Sequence, residues 1–242
     1  MLGGRYGEQG FKKSFRDEQL VANLALIDPD LLQTCPPESI AANGMDALTQ
    51  LLESRVSLWT NRLMSILAED GLRAVRDGLL AWYEQDKSEP GAPALMAYAA
   101  LLSGVTLAHV GLGSVHGLAA PLGACYPIPH GVACGTLLAE ATALNIQALQ
   151  DREPGSKALG AYARCAEILL QRHFRSTEQA CIALVTLLRD WRQRLVLPGL
   201  SHYGLDAAGI DRLVAQARGN SMKTNPIKLS DDELRGLLLR CL

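Results

Sequence analysis

From Pro36 onward the chain carries helical periodicity almost without a break, and this leaves few folds open. Segments at about 40–54, 58–85, 92–110, 132–149, 156–171, 177–195 and 207–218 read as helices. Pro36 and Pro37 suit a helix entrance, because proline is tolerated in the first turn. A last helix starts at Asp231. There Ser230 with Glu233 three residues on forms a capping box, each side chain satisfying a backbone N–H of the opening turn. The 92–110 segment, rich in alanine and leucine, is apolar on most faces and reads as a central helix. Residues 111–130 read as a segment interrupted by glycine and proline. The expected fold is all-α, with seven to nine helices.

Only the first 35 residues look extended. Residues 11–15 alternate, and 23–28 form a short apolar run stopped by Pro29, which biases the residue before it toward extended geometry. The two strand-like pieces have no sheet to join.

Charge and cysteine usage exclude several classes. Lysine plus arginine number 23 against 25 acidic residues, a net charge of −2, so nucleic acid is not expected as the main partner. The sequence reads as having no uncharged apolar stretch of about 18 residues, so no membrane span is expected. Residues 1–10 lack the apolar core of a secretory signal. Six cysteines with no C-x-x-C pair read as buried free thiols in a reducing cytoplasm.

Two groups of residues can carry chemistry. Asp46 and Gln50 lie four apart and share one face of a predicted helix that is otherwise apolar. Asp46 is either a capping or solvent-facing carboxylate, or one that needs a partner or a cation. His116 and His130 flank a stretch rich in glycine and proline and short of charge. They are either satisfied core histidines or two imidazoles converging on a metal. His109 reads as a core or capping residue, or as a spare ligand or a polar group of a substrate pocket, and His173 and His202 as surface residues. No phosphate-binding glycine loop, G-x-S-x-G elbow or Walker A sequence is present.

Four segments occur in a telling order: ALIDPDLL (25–32), CPPESIAANGMDALTQ (35–50), GLGSVHGLAAPLG (111–123) and YPIPHGVA (126–133). Together with Lys223-Thr224-Asn225-Pro226 before the capped last helix, they resemble the iron-containing (group III) alcohol dehydrogenase family, related to glycerol dehydrogenase and dehydroquinate synthase. The resemblance implies a dehydroquinate synthase-like architecture of two domains, an α/β nucleotide-binding one and a helical metal-binding one. On that basis 1–35 is a remnant or linker of the first and 36–242 is the second. The glycine-rich nucleotide loop is absent from these 242 residues, so the chain alone is expected to bind NAD(P) weakly or not at all and to be inactive by itself.

The resemblance also assigns roles. A divalent metal, Fe2+ or Zn2+, is implied at Asp46, His116 and His130, with Gln50 where the family has a histidine. An amide oxygen is a weaker donor than imidazole, so ferrous affinity should fall, while one carboxylate with two imidazoles still suits zinc. Ala120 stands where many members carry a histidine near the nicotinamide, so no catalytic side chain is assigned. Lys13 and Asp28 fall on the cofactor side, and Leu107 and His109 in the substrate pocket. The implied reaction is metal-dependent hydride transfer between a small alcohol or aldehyde and NAD(P), in a cytoplasmic homodimer. Two other readings stay open: a degenerate, non-catalytic helical or oligomerisation module, and a zinc-dependent lyase-like relative.

Overall fold

The computed structural model describes residues 22–85 and 88–242, with Asp17 and Gln19, and the backbone of 2–6 and 9–13. Strands β1 (Leu2–Tyr6) and β2 (Gln9–Lys13) pair antiparallel, Leu2 opposite Lys13 and Tyr6 opposite Gln9. Nine α-helices follow among the described residues. They are α1 (Pro37–Val56), α2 (Arg62–Tyr83), α3 (Ala92–Val110), α4 (Ser114–Cys125), α5 (His130–Arg152), α6 (Lys157–Leu170), α7 (Thr177–Arg194), α8 (Ala207–Gln216) and α9 (Asp231–Arg240).

The core is built around α1 and α5. Helix α1 buries 13 of its 20 residues because it packs against α2, α3, α5 and α6 at once. Helix α5 buries 16 of 23, meeting α1, α4, α6, α7 and α9. Gly131 lets these two helices approach: a Cβ there would run into the backbone carbonyl of Ala42. The predicted capping box is present, with the Glu233 amide donating to Ser230 Oγ at 3.2 Å and the Ser230 amide to Glu233 Oε2 at 2.6 Å. Helix α2 starts later than its periodicity suggests, because Asn61 caps it by accepting from the Met64 amide at 3.1 Å.

Several expectations need correction. Residues 23–28 are not a strand. Among the described residues no neighbouring strand offers them a ladder, and Leu24 and Leu26 stay more than 80% exposed. Of the predicted 11–15 strand, 11–13 belong to β2, which does join a sheet, the two-stranded one with β1, and 14–15 lie outside the described residues. Helix α3 is not central. It buries seven residues in a stripe and exposes Tyr98 and Leu101 on its other side. It is also a 19-residue stretch free of Asp, Glu, Lys and Arg, so the expectation that no such stretch exists fails here. By length and hydropathy α3 and α5 both pass for membrane spans, but the apolar 18-residue stretch of α5 is 83% buried, as in a core helix.

A further correction is α4, a helix where glycine and proline suggested interruption. Pro121 lies inside it. Val115, Leu118 and Leu122 share one face and are at most 1% exposed. Burying three such side chains, at roughly 1.5–3 kcal/mol each, outweighs the ~3 kcal/mol that an interior proline costs. The first turn is held from a distance. Its Ser114 amide donates to Asn225 Oδ1 at 2.9 Å and its Val115 amide to Glu53 Oε1 at 2.7 Å. Side chains far away in sequence therefore satisfy backbone donors that any helix start leaves open.

Candidate metal centre

Three helices bring the cluster together. Asp46 projects from the middle of α1, His116 from the first turn of α4, and His130 opens α5 one turn before Cys134. His116 Nε2 lies 3.1 Å from Asp46 Oδ1, and His130 Nε2 lies 3.9 Å from the same oxygen. Cys134 Sγ is 3.7 Å from both Nε2 atoms. One donor atom from each of Asp46, His116, His130 and Cys134 falls within 4.8 Å of the others. The two imidazole rings stand 5.4 Å apart, tilted by 59°. His116 is buried, while Asp46 and His130 keep partial exposure.

Glu53 completes the arrangement. Its Oε2 lies 2.7 Å from His116 Nδ1, while Oε1 takes the Val115 amide. A carboxylate on Nδ1 fixes that proton in place and leaves Nε2 to face the cluster, the arrangement that holds metal-binding histidines. Burial opposes a charge on His116, but the Cys134 sulfur and the carboxylates of Asp46 and Glu53 outweigh it and hold the imidazole pKa well above its ordinary value. Burial alone would raise Asp46 as well. The hydrogen bond from His116 and the charge of the two imidazoles instead hold it below its ordinary value. Burial pushes the Cys134 thiol up to about 12. Two carboxylates on either side of one buried imidazole call for positive charge, from a proton or from a cation. Carboxylate oxygen with two imidazole nitrogens is a donor set that suits ferrous iron or zinc.

A cavity of about 560 Å³ opens onto this cluster. Gln50, His116, His130, Leu107, His109 and Ala120 all line it. Gln50 lies against the cluster: its Nε2 donates to Asp46 Oδ2 at 3.1 Å, and its Oε1 accepts from Ser103 Oγ at 2.8 Å. His109 is exposed rather than a core residue, and its Nδ1 donates to the Val105 carbonyl of its own helix at 2.8 Å. Asp28 is elsewhere. It caps the short helical turn Pro29–Leu32 by accepting from the Asp30 amide at 3.0 Å, and lines a separate hollow of about 480 Å³. The backbone of Lys13 ends β2, and its side chain lies outside the described residues. His173 and His202 sit apart from the cluster, His173 against Glu167 and His202 edge-on to Tyr203. None of the six cysteines is in a disulfide; Cys134, Cys165, Cys181 and Cys241 are buried as expected, whereas Cys35 and Cys125 are only half-buried.

Sequence reasoning passed over Glu53 and Cys134, although a signal existed for each. Asp46, Gln50 and Glu53 follow i, i+4, i+7 spacing on α1, and Cys134 follows His130 by one turn on α5. It also gave no role to Asn145, which donates to Tyr162 at 3.2 Å and exchanges bonds with Asn225 at 2.8 and 3.2 Å. This buried network anchors the segment that caps α4.

Fold and cluster together define a class: a helical domain with carboxylate, imidazole and thiol gathered at the wall of a small cavity. The model of the family described as Fe-containing alcohol dehydrogenase, C-terminal, matches residues 40–242, and the chain belongs to that family. Alcohol dehydrogenase 4 of Saccharomyces cerevisiae is 28% identical over 233 residues, covering 96% of this chain and 58% of that protein. An NADPH-dependent butanol dehydrogenase of Clostridium saccharobutylicum is 27% identical over 230 residues, covering 93% of this chain and 56% of that protein. The crystal structure of a 1,3-propanediol oxidoreductase superposes with a TM-score of 0.80 at 26% identity, over 89% of this chain and 55% of that one. The chain thus spans little more than half the length of these relatives.

Proposed function

We propose that this chain is the metal-holding part of an NAD(P)-linked alcohol dehydrogenase, with Asp46, His116 and His130 as donors to a divalent cation. The observation that carries this reading is the convergence of those three side chains, from three helices, at the wall of a cavity. When bound, the cation supplies Lewis-acid polarisation of an alcohol or carbonyl oxygen. The chain's own residues do the rest. Glu53 orients the His116 ring, and Gln50 steadies the second oxygen of Asp46. Leu107 and Leu112 give the cavity an apolar wall, while His109 and Thr224 add polar groups that can orient a small alcohol or aldehyde. The names of the curated relatives support that substrate class and a nicotinamide cofactor.

Hydride transfer needs a nucleotide partner, and Lys13 and Asp28 belong to that side of the proposal, with 1–35 as a linker toward a nucleotide-binding domain and 36–242 as the metal-binding domain. Free thiols throughout suit a cytoplasmic setting, and a homodimer is the assembly the family resemblance implies. One observation favours the reading as a non-catalytic module: Ala120, which can relay no proton, faces the cavity. Metal analysis of the purified chain decides between them. One zinc or iron per chain, lost in His116→Ala with the far-ultraviolet helical signal nearly unchanged, is the expected result. A chain that purifies and reconstitutes without metal overturns the dehydrogenase reading.

A further inference from the structure

The three donors above leave Cys134 unexplained. We propose that Cys134 binds the cation as a thiolate, the fourth donor of the centre, in place of the imidazole that Gln50 does not provide, and that this turns the site toward zinc. The inference rests on the reading of the cluster as a metal site.

Geometry carries it. Zinc bonds of about 2.0–2.1 Å to nitrogen or oxygen and about 2.3 Å to sulfur place tetrahedral donors roughly 3.3–3.6 Å apart. The separations found here are 3.1 and 3.9 Å from Asp46 Oδ1 to the two imidazoles, and 3.7 Å from Cys134 Sγ to each of them. A cation at the centre needs only small movements of these groups. Gln50 does not compete for the fourth place, because its amide oxygen is already engaged by Ser103.

The company Cys134 keeps is also unlike that of the other buried thiols. Cys181 and Cys241 face backbone carbonyls, at 3.8 and 3.7 Å, as thiols in a packed core do. Cys134 faces two ring nitrogens and a carboxylate. It is fully buried and does not line the cavity, whereas His116, His130 and Gln50 do. Sulfur therefore approaches from the closed side and leaves the cavity side open for a substrate oxygen, and zinc can expand to five-coordination. On binding, the S–H proton of Cys134 and the Nε2 proton that His116 gives to Asp46 both leave to solvent, and a lone pair on each atom forms the metal bond, with no change of oxidation state. His116 keeps its Nδ1 proton toward Glu53 and offers Nε2. Thiolate favours zinc more than a set of oxygen and imidazole donors does.

The test loads the full chain with cobalt(II) as a spectroscopic probe and titrates zinc against a chelator. Bound cobalt should give a near-ultraviolet sulfur-to-cobalt charge-transfer band that Cys134→Ser and Cys134→Ala abolish. Zinc affinity should fall in both variants by at least the roughly 10–100-fold that follows loss of an outer partner of a metal ligand. Cobalt bound without that band, or a band that survives in both variants, overturns the thiolate and leaves Asp46, His116 and His130 standing as donors. No cobalt bound at all overturns both readings. Should neither variant fold, zinc-edge X-ray absorption on the wild-type chain decides: one sulfur in the zinc shell supports the proposal, and none overturns it.

Discussion

The sharpest perturbation of this centre is Glu53→Gln, because it removes a charge while keeping shape. Glu53 is 4% exposed and accepts from two groups, the Val115 amide and His116 Nδ1, each at 2.7 Å. In the variant the amide oxygen must keep the buried Val115 N–H, so the NH2 group faces His116 Nδ1. That nitrogen then becomes an acceptor, so the ring loses its Nδ1 proton and keeps the one on Nε2 that it donates to Asp46. Replacing charged hydrogen bonds by neutral ones, with some loss of a favourable charge at the α4 N-terminus, amounts to roughly 1–2 kcal/mol. For a domain of this size that lowers Tm by about 2–8 °C. Metal binding suffers more, since Nε2 is free for a cation only when two N–H groups confront each other at residue 53. Zinc affinity should fall about 10–100-fold. Glu53→Ala should instead leave the Val115 and His116 N–H groups unpaired, at about 1–3 kcal/mol each. Thermal melts and chelator-competition titration of the variants read both effects. Wild-type zinc affinity in Glu53→Gln would refute the argument that this carboxylate sets the His116 tautomer.

Gln50→His should raise retention of ferrous iron on dialysis; unchanged retention means that residue 50 stays with Ser103 rather than turning to the cluster. Gly131→Ala should lower stability by about 1–3 kcal/mol, read as a lower denaturant midpoint, because the new methyl group forces α5 away from the Ala42 carbonyl. A midpoint equal to wild type would show that the α1–α5 approach is not tight. Glu140 gives the pH prediction. Burial would raise its pKa, but Arg189 and Arg240 at 2.8 and 3.1 Å outweigh burial and hold it below the ordinary 4.5. A depressed folded-state pKa adds stability above the unfolded value, lost as pH falls through the folded one. Both arginines are half exposed, so screening limits the gain to about 1 kcal/mol. Glu140→Gln should cost that much at neutral pH and flatten the fall in stability below about pH 4.5; an unchanged acid slope counts against the ion pairs.

What the sequence made legible was whatever local pattern encodes. Helices α1, α3, α6 and α7 follow from apolar periodicity, and Asp46, His116 and His130 from residue types that suit a cation. What escaped depends on contacts remote in sequence. Alanine and leucine all round α3 cannot say that only one stripe is covered, because that depends on where α1 and α2 end up. Pro121 argues locally against α4, and the local argument fails because Glu53, 62 residues from Val115, and Asn225, 111 residues from Ser114, take the first-turn amides. The same Glu53 side chain holds His116. Starting the helix and orienting the cluster-facing imidazole are thus one act by one carboxylate. A change that removes it therefore has to loosen the first turn of α4 and the proposed metal centre together, so no substitution at Glu53 that frays α4 should leave zinc affinity intact.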